Sequence, residues 1–322
     1  MAKIKVNLIT GFLGSGKTSF LSEYLNTINA KNTALIINEL GQIHLDGRIL
    51  NAKVSYIDEQ MLYLNSGCVC CNKRLDLINS LKSLLDDYES KSKPLECVII
   101  ETTGLANPAP ILWTILSDTF LSAHFEVQCV ISCVDVINGF LHLENEEARE
   151  QIIFADSVLL TKTDLKSDYA ELKNEILALN PSLRVFDKKN VDYQALFSKT
   201  KQAKTSILKE QGTHSQGFDS LALSFEDKVE WSAFGIWLSL LLHKYGTQIL
   251  RVKGILDIGE DFLVSINGTM HIIHPPTHIK KDKISSCELV FITRNLQKER
   301  ILDSLKGFEK LLKIKNVSSK IV

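Results

Sequence analysis

The 322-residue chain is 45% hydrophobic, ample for two domains with cores of their own, and its formal net charge of −1 gives no global field toward nucleic acid or an anionic membrane. The longest apolar candidate, Ile236 to Leu242, is too short to span a bilayer, and Met1 leads directly into a strand, so no signal peptide is expected and the chain reads as cytoplasmic. Seven cysteines, an odd number in such a compartment, read as reduced thiols, with any cluster a metal or redox site.

The first element is a short apolar strand through Val6, Leu8 and Ile9. Gly11 to Thr18 then fits G-x-x-x-x-G-K-[ST], and Ser19 to Leu25 continue with helical spacing. Strand, glycine-rich loop and helix N-terminus together form a phosphate cradle, because the backbone N–H groups of Gly11, Gly14, Ser15 and Gly16 point inward and the helix dipole favours an anion. In it Lys17 would reach the β- and γ-phosphates, Thr18 would hold Mg²⁺, and Ser19 extends the first turn of the helix.

Thr33 to Asn38 reads as a second buried strand. The following Glu39-Leu40-Gly41-Gln42 is either a switch that senses the γ-phosphate or an ordinary surface loop. Cys68, Cys70 and Cys71 stand at the start of a helix whose apolar positions Leu75, Ile78, Leu81, Leu84, Leu85 and Tyr88 predict one buried face. A helix N-terminus lowers thiol pKa, and thiolates bind Zn²⁺, Co²⁺ or Ni²⁺. Three of them leave a tetrahedral ion one position for Glu39, a water or a client ligand. A redox pair or small buried hydrophobes are the other readings. Cys97, Cys129, Cys133 and Cys287 lie in apolar runs and read as core.

Leu95 to Ile100 predicts a third strand ending at Glu101, placed to hold Mg²⁺, with Gly104 offering a backbone N–H toward the γ-phosphate. Asn107-Pro108 starts a helix through Leu116. Phe125 to Val134 is another strand, with Asp135 as a cap or orienting group. A charged helix from Glu144 to Ile153 leads to Ser157-Val158-Leu159-Leu160 and Thr161-Lys162-Thr163-Asp164. This strand followed by T-K-x-D matches the base-recognition position of GTPases. There Asp164 would accept N1–H and N2–H₂ of guanine, a pair that adenine lacks, while the Lys162 stem lies along the base. A helix cap is the plainer reading of Asp164.

A helix over Tyr169 to Leu179 and a strand at Arg184 to Phe186 close this part, and the polar run from Lys188 to Gly217 reads as a linker. Beyond it, strands at Leu221 to Phe225, Ile249 to Ile258, Phe262 to Ile266, Met270 to Ile273 and Leu289 to Thr293 alternate with two helices. The first carries Trp231, Phe234, Trp237, Leu238, Leu241 and Leu242, the second runs from Leu296 to Leu312, and together they predict an α+β layer. His271 and His274 point to opposite faces at strand spacing, and Pro275-Pro276 disrupt a helical i, i+4 arrangement, so these two and His278 read as surface strand and turn histidines, with a ligand role as the other reading. The fold class is therefore α/β: a P-loop NTPase domain with a mostly parallel sheet over residues 1–190, a linker over 191–217, and a smaller α+β domain over 218–322.

Gly11-Phe12-Leu13-Gly14-Ser15-Gly16-Lys17-Thr18, Asn38-Glu39-Leu40-Gly41, Gly67-Cys68-Val69-Cys70-Cys71, Glu101-Thr102-Thr103-Gly104 and Thr161-Lys162-Thr163-Asp164 together resemble the CobW-like metallochaperone GTPases. Ile249-Leu250-Arg251-Val252-Lys253-Gly254 resembles that family's C-terminal domain. The resemblance implies GTP hydrolysis coupled to handling Zn²⁺, Co²⁺ or another transition metal for a client metalloprotein, with GTP/GDP and Mg²⁺ as cofactors and self-association left open. Two positions depart from the family pattern: Ile37 and Gln42 stand where members commonly carry glutamates, which argues against an auxiliary carboxylate site. Basal turnover should be slow, below about 10⁻¹ s⁻¹, since no residue is an evident arginine finger. The rival reading is a metal-responsive or thiol-redox binding protein in which nucleotide is mainly structural.

Overall fold

The computed structural model describes residues 2–27, 32–38, 61–64, 70–92, 94–198, 217–225, 227–281, 287–314 and 317–321. The chain divides into two compact units, Met1–Leu172 with Arg184–Lys199, and Lys173–Leu183 with Thr200–Val322. No helix among the described residues is long and apolar enough to cross a membrane.

In the first unit β1 (Ile4–Thr10), β2 (Thr33–Asn38), β3 (Met61–Leu64), β4 (Cys97–Glu101), β5 (Phe125–Asp135), β6 (Ser157–Thr161) and β7 (Arg184–Asp187) form one sheet. Its order is β3-β2-β4-β1-β5-β6-β7, and every pairing is parallel. The strands are apolar without alternation because a parallel sheet is covered on both faces: Val6, Ile36, Val98, Ile99, Ile131 and Leu159 are fully buried. Helices α1 (Lys17–Thr27), α2 (Cys70–Ser90), α3 (Ala109–Ser117), α4 (Thr119–His124), α5 (Gly139–Leu143), α6 (Glu146–Ile153), α7 (Ala170–Leu179) and α8 (Tyr193–Phe197) complete the path. Of these, α7 falls largely within the second compact unit.

The chain leaves β1 toward β2 and β3, returns at β4, and crosses to β5 on the other side of β1. Such a reversal opens a crevice at the carboxyl ends of the strands. Register brings the right residues to that edge, since Ile9 pairs with Glu101, Thr10 with Ser132, and Asp135 with Thr161.

The buried face of α2 is as expected except at its start. Leu75 is 56% exposed and Leu77, 3% exposed, takes its place, because a residue two positions on falls nearer the stripe set by Ile78, Leu81 and Leu84. The charged helix before β6 is shorter than predicted and preceded by α5. Within the polar run after β7, α8 is packed: Leu196 and Phe197 are buried, and Phe197 stacks on Tyr24 with ring centroids 4.2 Å apart.

The second unit places α9 (Trp231–Tyr245) and α10 (Lys298–Leu312) on an antiparallel sheet of β8 (Phe218–Phe225), β9 (Ile249–Asp257), β10 (Phe262–Thr269), β11 (Ile272–Ile273), β13 (Cys287–Arg294) and β14 (Val317–Ile321). β12 (Thr277–Lys280) pairs with β10. Trp237 anchors the core: fully buried, it meets Phe291 edge-on at 6.2 Å and donates its indole N–H to Ser304 Oγ at 3.1 Å. β12 and β14 were not foreseen. Both are edge strands with exposed positions, so neither carries the apolar alternation that marks a half-buried strand.

Candidate functional site

The loop between β1 and α1 has the geometry of a phosphate cradle. Gly11 sits at φ +139°, and a Cβ there would meet the Cys133 carbonyl oxygen at 2.4 Å, so the curve of the loop depends on glycine at that position. Lys17, 9% exposed, donates from Nζ to the Gly11 and Phe12 carbonyls at 2.8 and 3.1 Å, which folds its ammonium back over the loop it follows. Gly14 and Gly16 also take positive φ, Ser15 is buried, and Ser19 is exposed in the first turn of α1.

Two further strand ends close on this loop. Thr18 Oγ1 donates to Glu101 Oε1 at 2.7 Å, although 83 residues separate them, so the hydroxyl and carboxylate predicted to flank Mg²⁺ stand side by side. An octahedral Mg²⁺ is usually held by one or two such protein oxygens, with the rest from water and phosphate, and this pair meets that requirement. The turn after Glu101 is pinned to β1 by a 2.9 Å bond from Thr102 N–H to Ile9 O and another from Thr102 Oγ1 to Thr10 Oγ1. Gly104 packs against the phosphate loop so closely that a Cβ would lie 2.7 Å from Leu13 N.

On the other side, Thr161 Oγ1 donates to Ser15 O at 2.7 Å and ties the T-K-x-D loop to the cradle. Lys162 takes φ +58° and extends to Asp135, Nζ to Oδ2 at 2.6 Å. Burial pushes the Asp135 carboxyl up, but hydrogen bonds from Lys162, the Ile137 N–H and Asn138 hold it below the ordinary carboxylate value. Asp164 is exposed at the end of the loop, where a carboxylate is available to a base. Thr163 Oγ1 donates to Asp187 Oδ1 at 2.5 Å, so the loop is fixed from β7 as well. The ring of His142 lies 4.9 Å from that of Phe12, and burial lowers its pKa, with Lys162 and Lys17 acting in the same direction against Asp135.

Of the predicted metal ligands, Cys68 and Glu39 lie outside the described residues. Cys70 and Cys71 open α2, placing them at a helix N-terminus as expected. Among the remaining thiols Cys129, Cys133 and Cys287 are buried, and burial pushes Cys133 up to about 12, which makes it an inert thiol rather than a ligand. In the second unit His278 stacks on Phe262 at 4.1 Å, and His274 Nε2 is 3.3 Å from Thr269 Oγ1. No group of three or more His, Cys, Asp or Glu side chains that could hold a metal occurs among the described residues.

Residues 5–187 match the family model for the CobW/HypB/UreG nucleotide-binding domain, and residues 218–309 match that for the cobalamin synthesis protein cobW C-terminal domain. The chain belongs to the CobW/HypB/UreG family.

Among CobW/HypB/UreG relatives, the zinc chaperone YjiA of Escherichia coli K12 is 28% identical over 96% of this chain and 100% of its own length. The zinc-regulated GTPase metalloprotein activator 1 of Schizosaccharomyces pombe is 32% identical over 57% of this chain and 45% of its own. The crystal structure of Zn(II)-bound YjiA GTPase from E. coli superposes with a TM-score of 0.71 at 24% identity, covering 96% of this chain and 99% of that one, which fixes the fold.

Within this CobW/HypB/UreG domain, three anchors escaped the sequence reading. Asp135 was read only as a cap or orienting group, whereas it is the fully buried counter-charge of Lys162. Asp187 accepts from both Thr163 and Tyr169, each at 2.5 Å. Gln151, fully buried on α6, donates to backbone carbonyls of the loop after β4. The only signal in the sequence for the two carboxylates was an aspartate closing an apolar strand, and for Gln151 an amide among buried positions of α6.

Proposed function

We propose that the chain is a slow GTPase that carries zinc, or another transition metal, to a client metalloprotein, with its metal affinity set by the bound nucleotide. The observation that carries the GTPase half is the convergence of four strand ends on one crevice. The phosphate loop follows β1, Thr18 meets Glu101 from β4, Asp135 caps β5, and the T-K-x-D loop after β6 is tied to Ser15. The zinc half is supported by the cysteine triplet and by the names of the relatives.

In this reading Gly11, Gly14, Ser15, Gly16, Lys17, Thr18 and Ser19 bind the phosphates, and Thr161, Lys162 and Asp164 recognise guanine. Thr18 and Glu101 hold Mg²⁺, which when bound neutralises charge on the β- and γ-phosphates. Lys17 exchanges loop carbonyls for phosphate oxygens, and its ammonium stabilises the charge that builds as water attacks the γ-phosphoryl group, giving GDP and phosphate. The Gly104 N–H is the backbone donor on the γ side. Cys68, Cys70 and Cys71, with Glu39 as the fourth group, take the metal as cargo. Residues 1–190 act as the GTPase domain, 191–217 as a linker whose first helix, α8, packs on that domain, and 218–322 as the domain that meets the client.

Contact of GTP with the Glu39 segment and with the Gly104 N–H would alter the thiolate site that lies between them in sequence. The test is phosphate release from GTP by reduced protein, with and without Zn²⁺, alongside Lys17→Ala. Slow release that responds to Zn²⁺ and is lost in Lys17→Ala supports the reading. Release indifferent to Lys17→Ala, or no release under any condition, overturns it.

A further inference from the structure

We propose that Gln151 is a positioning residue for GTP hydrolysis, holding the loop after β4 so that the Gly104 N–H faces the γ-phosphate; the inference rests on the GTPase reading above. Gln151 lies on α6, far in sequence from the phosphate loop, and is fully buried. Its side-chain Nε2 donates to Gly104 O at 3.0 Å and to Ala106 O at 3.1 Å. Two carbonyls converging on one side-chain atom demand a group with two donors, and a carboxamide NH₂ supplies both. A carboxylate of the same shape would set an oxygen against them.

The loop has little freedom left once Gln151 is in place. On one side the Gly104 backbone is pressed against Leu13 of the phosphate loop, where even a Cβ would collide. On the other, Glu150, the neighbour of Gln151 on α6, accepts from Asn107 Nδ2 at 2.5 Å, and Asn107 in turn accepts from Ala109 N–H at 2.8 Å to start α3. Residues 104 to 107 are thus held from α6 at three points. Gln151 also lines a small cavity of about 10 Å³ with Phe12, Cys133 and His142, which has room for about one water.

The bonds fix backbone orientation. Gly104 O is bound to α6, which fixes the Gly104–Leu105 peptide; the preceding peptide, which carries the Gly104 N–H, is held through Thr103 O by the Ala106 N–H at 3.1 Å, and Ala106 is in turn gripped by Gln151. Gln151 itself stays behind the loop and touches no reacting atom. Its effect is therefore on the step in which charge builds on the γ-phosphoryl group, and GDP, which lacks that group, is indifferent to it.

Full-length wild type, Gln151→Glu and Gln151→Leu are compared for kcat and KM with GTP, and for Kd with GDP and with a non-hydrolysable GTP analogue. The expected result is a fall in kcat of about 10- to 100-fold in both variants. The preference for the analogue over GDP falls with it, while the GDP Kd stays within about twofold of wild type. Retained GDP binding also shows that the variants fold. Unchanged kcat and unchanged preference in both variants would overturn the inference, as would parallel loss of GDP and analogue binding, which marks a merely structural role. A wild type that neither binds nor hydrolyses GTP would instead remove the reading on which the inference rests.

Discussion

Asp135→Asn isolates the anchor of the base-recognition loop. In the wild type, Asp135 Oδ1 accepts from Ile137 N–H at 2.8 Å, while Oδ2 accepts from Asn138 Nδ2 at 2.8 Å and Lys162 Nζ at 2.6 Å. An asparagine has a single acceptor oxygen, so at least one of these donors must face an NH₂ group. Breaking a buried ion pair by removing one partner costs about 3 to 5 kcal/mol. Asp135 is fully buried, but the Lys162 side chain is 35% exposed and reaches water, so the penalty is discounted to about 1 to 3 kcal/mol. At about 2 kcal/mol the expected Tm drop for a domain of this size is about 4 to 8 °C. GDP affinity should also weaken about tenfold, because Lys162 loses the contact that directs its stem.

The pH dependence of that difference has a definite sign. The folded-state carboxyl is held below its ordinary value of about 3.9, so its contribution is fully present above that pH and is lost as pH falls through the folded value. The Tm gap between wild type and Asp135→Asn should be complete at neutral pH and close below about pH 4. Differential scanning calorimetry from pH 3 to 8 provides the measurement. No Tm loss at neutral pH, or a gap that widens on acidification, would refute the reasoning.

Three further outcomes follow from the crevice. Thr18→Ala removes the hydroxyl 2.7 Å from Glu101, and phosphate release titrated with Mg²⁺ should show at least about a tenfold loss of kcat and a higher Mg²⁺ concentration at half-maximal rate. Asp164→Asn replaces an acceptor with a donor at an exposed position; competition binding should show guanine nucleotides losing and xanthine nucleotides gaining affinity, with stability changed by no more than about 0.5 kcal/mol. Gly11→Ala drives a methyl into the Cys133 carbonyl at a positive φ, and calorimetric titration should show nucleotide binding abolished.

Local chemistry was legible in the chain and long-range pairing was not. The phosphate loop and the T-K-x-D loop are contiguous patterns whose meaning depends on the strand before them, and both strands are plain from their apolar runs. The two-layer division into parallel and antiparallel sheets followed from the alternation of helices with strands in the first half and their absence between β9 and β13. The β3-β2-β4-β1-β5-β6-β7 order left no mark on the sequence, because every parallel strand is equally apolar. Asp135 with Lys162, Thr163 with Asp187, and Gln151 with Gly104 are separated by 27, 24 and 47 residues, so the partner of each polar group appears only once the sheet edge is assembled. Leu75 and Leu77 differ by two positions on one helix, and only the whole stripe of Ile78, Leu81 and Leu84, not the spacing from one neighbour, decides that Leu77 turns inward. The helix α8 is only five residues long, its aromatic positions hidden in a polar run.

The claim that nucleotide and metal sites sense each other is tested most directly by Zn²⁺ titration of the reduced protein in the apo, GDP and non-hydrolysable GTP-analogue states. A coupling of about 1 to 3 kcal/mol predicts a 5- to 150-fold spread in Zn²⁺ affinity, with the same factor recovered in reverse when nucleotide is titrated against the zinc-loaded protein. Equal Zn²⁺ affinity in all three states would contradict it.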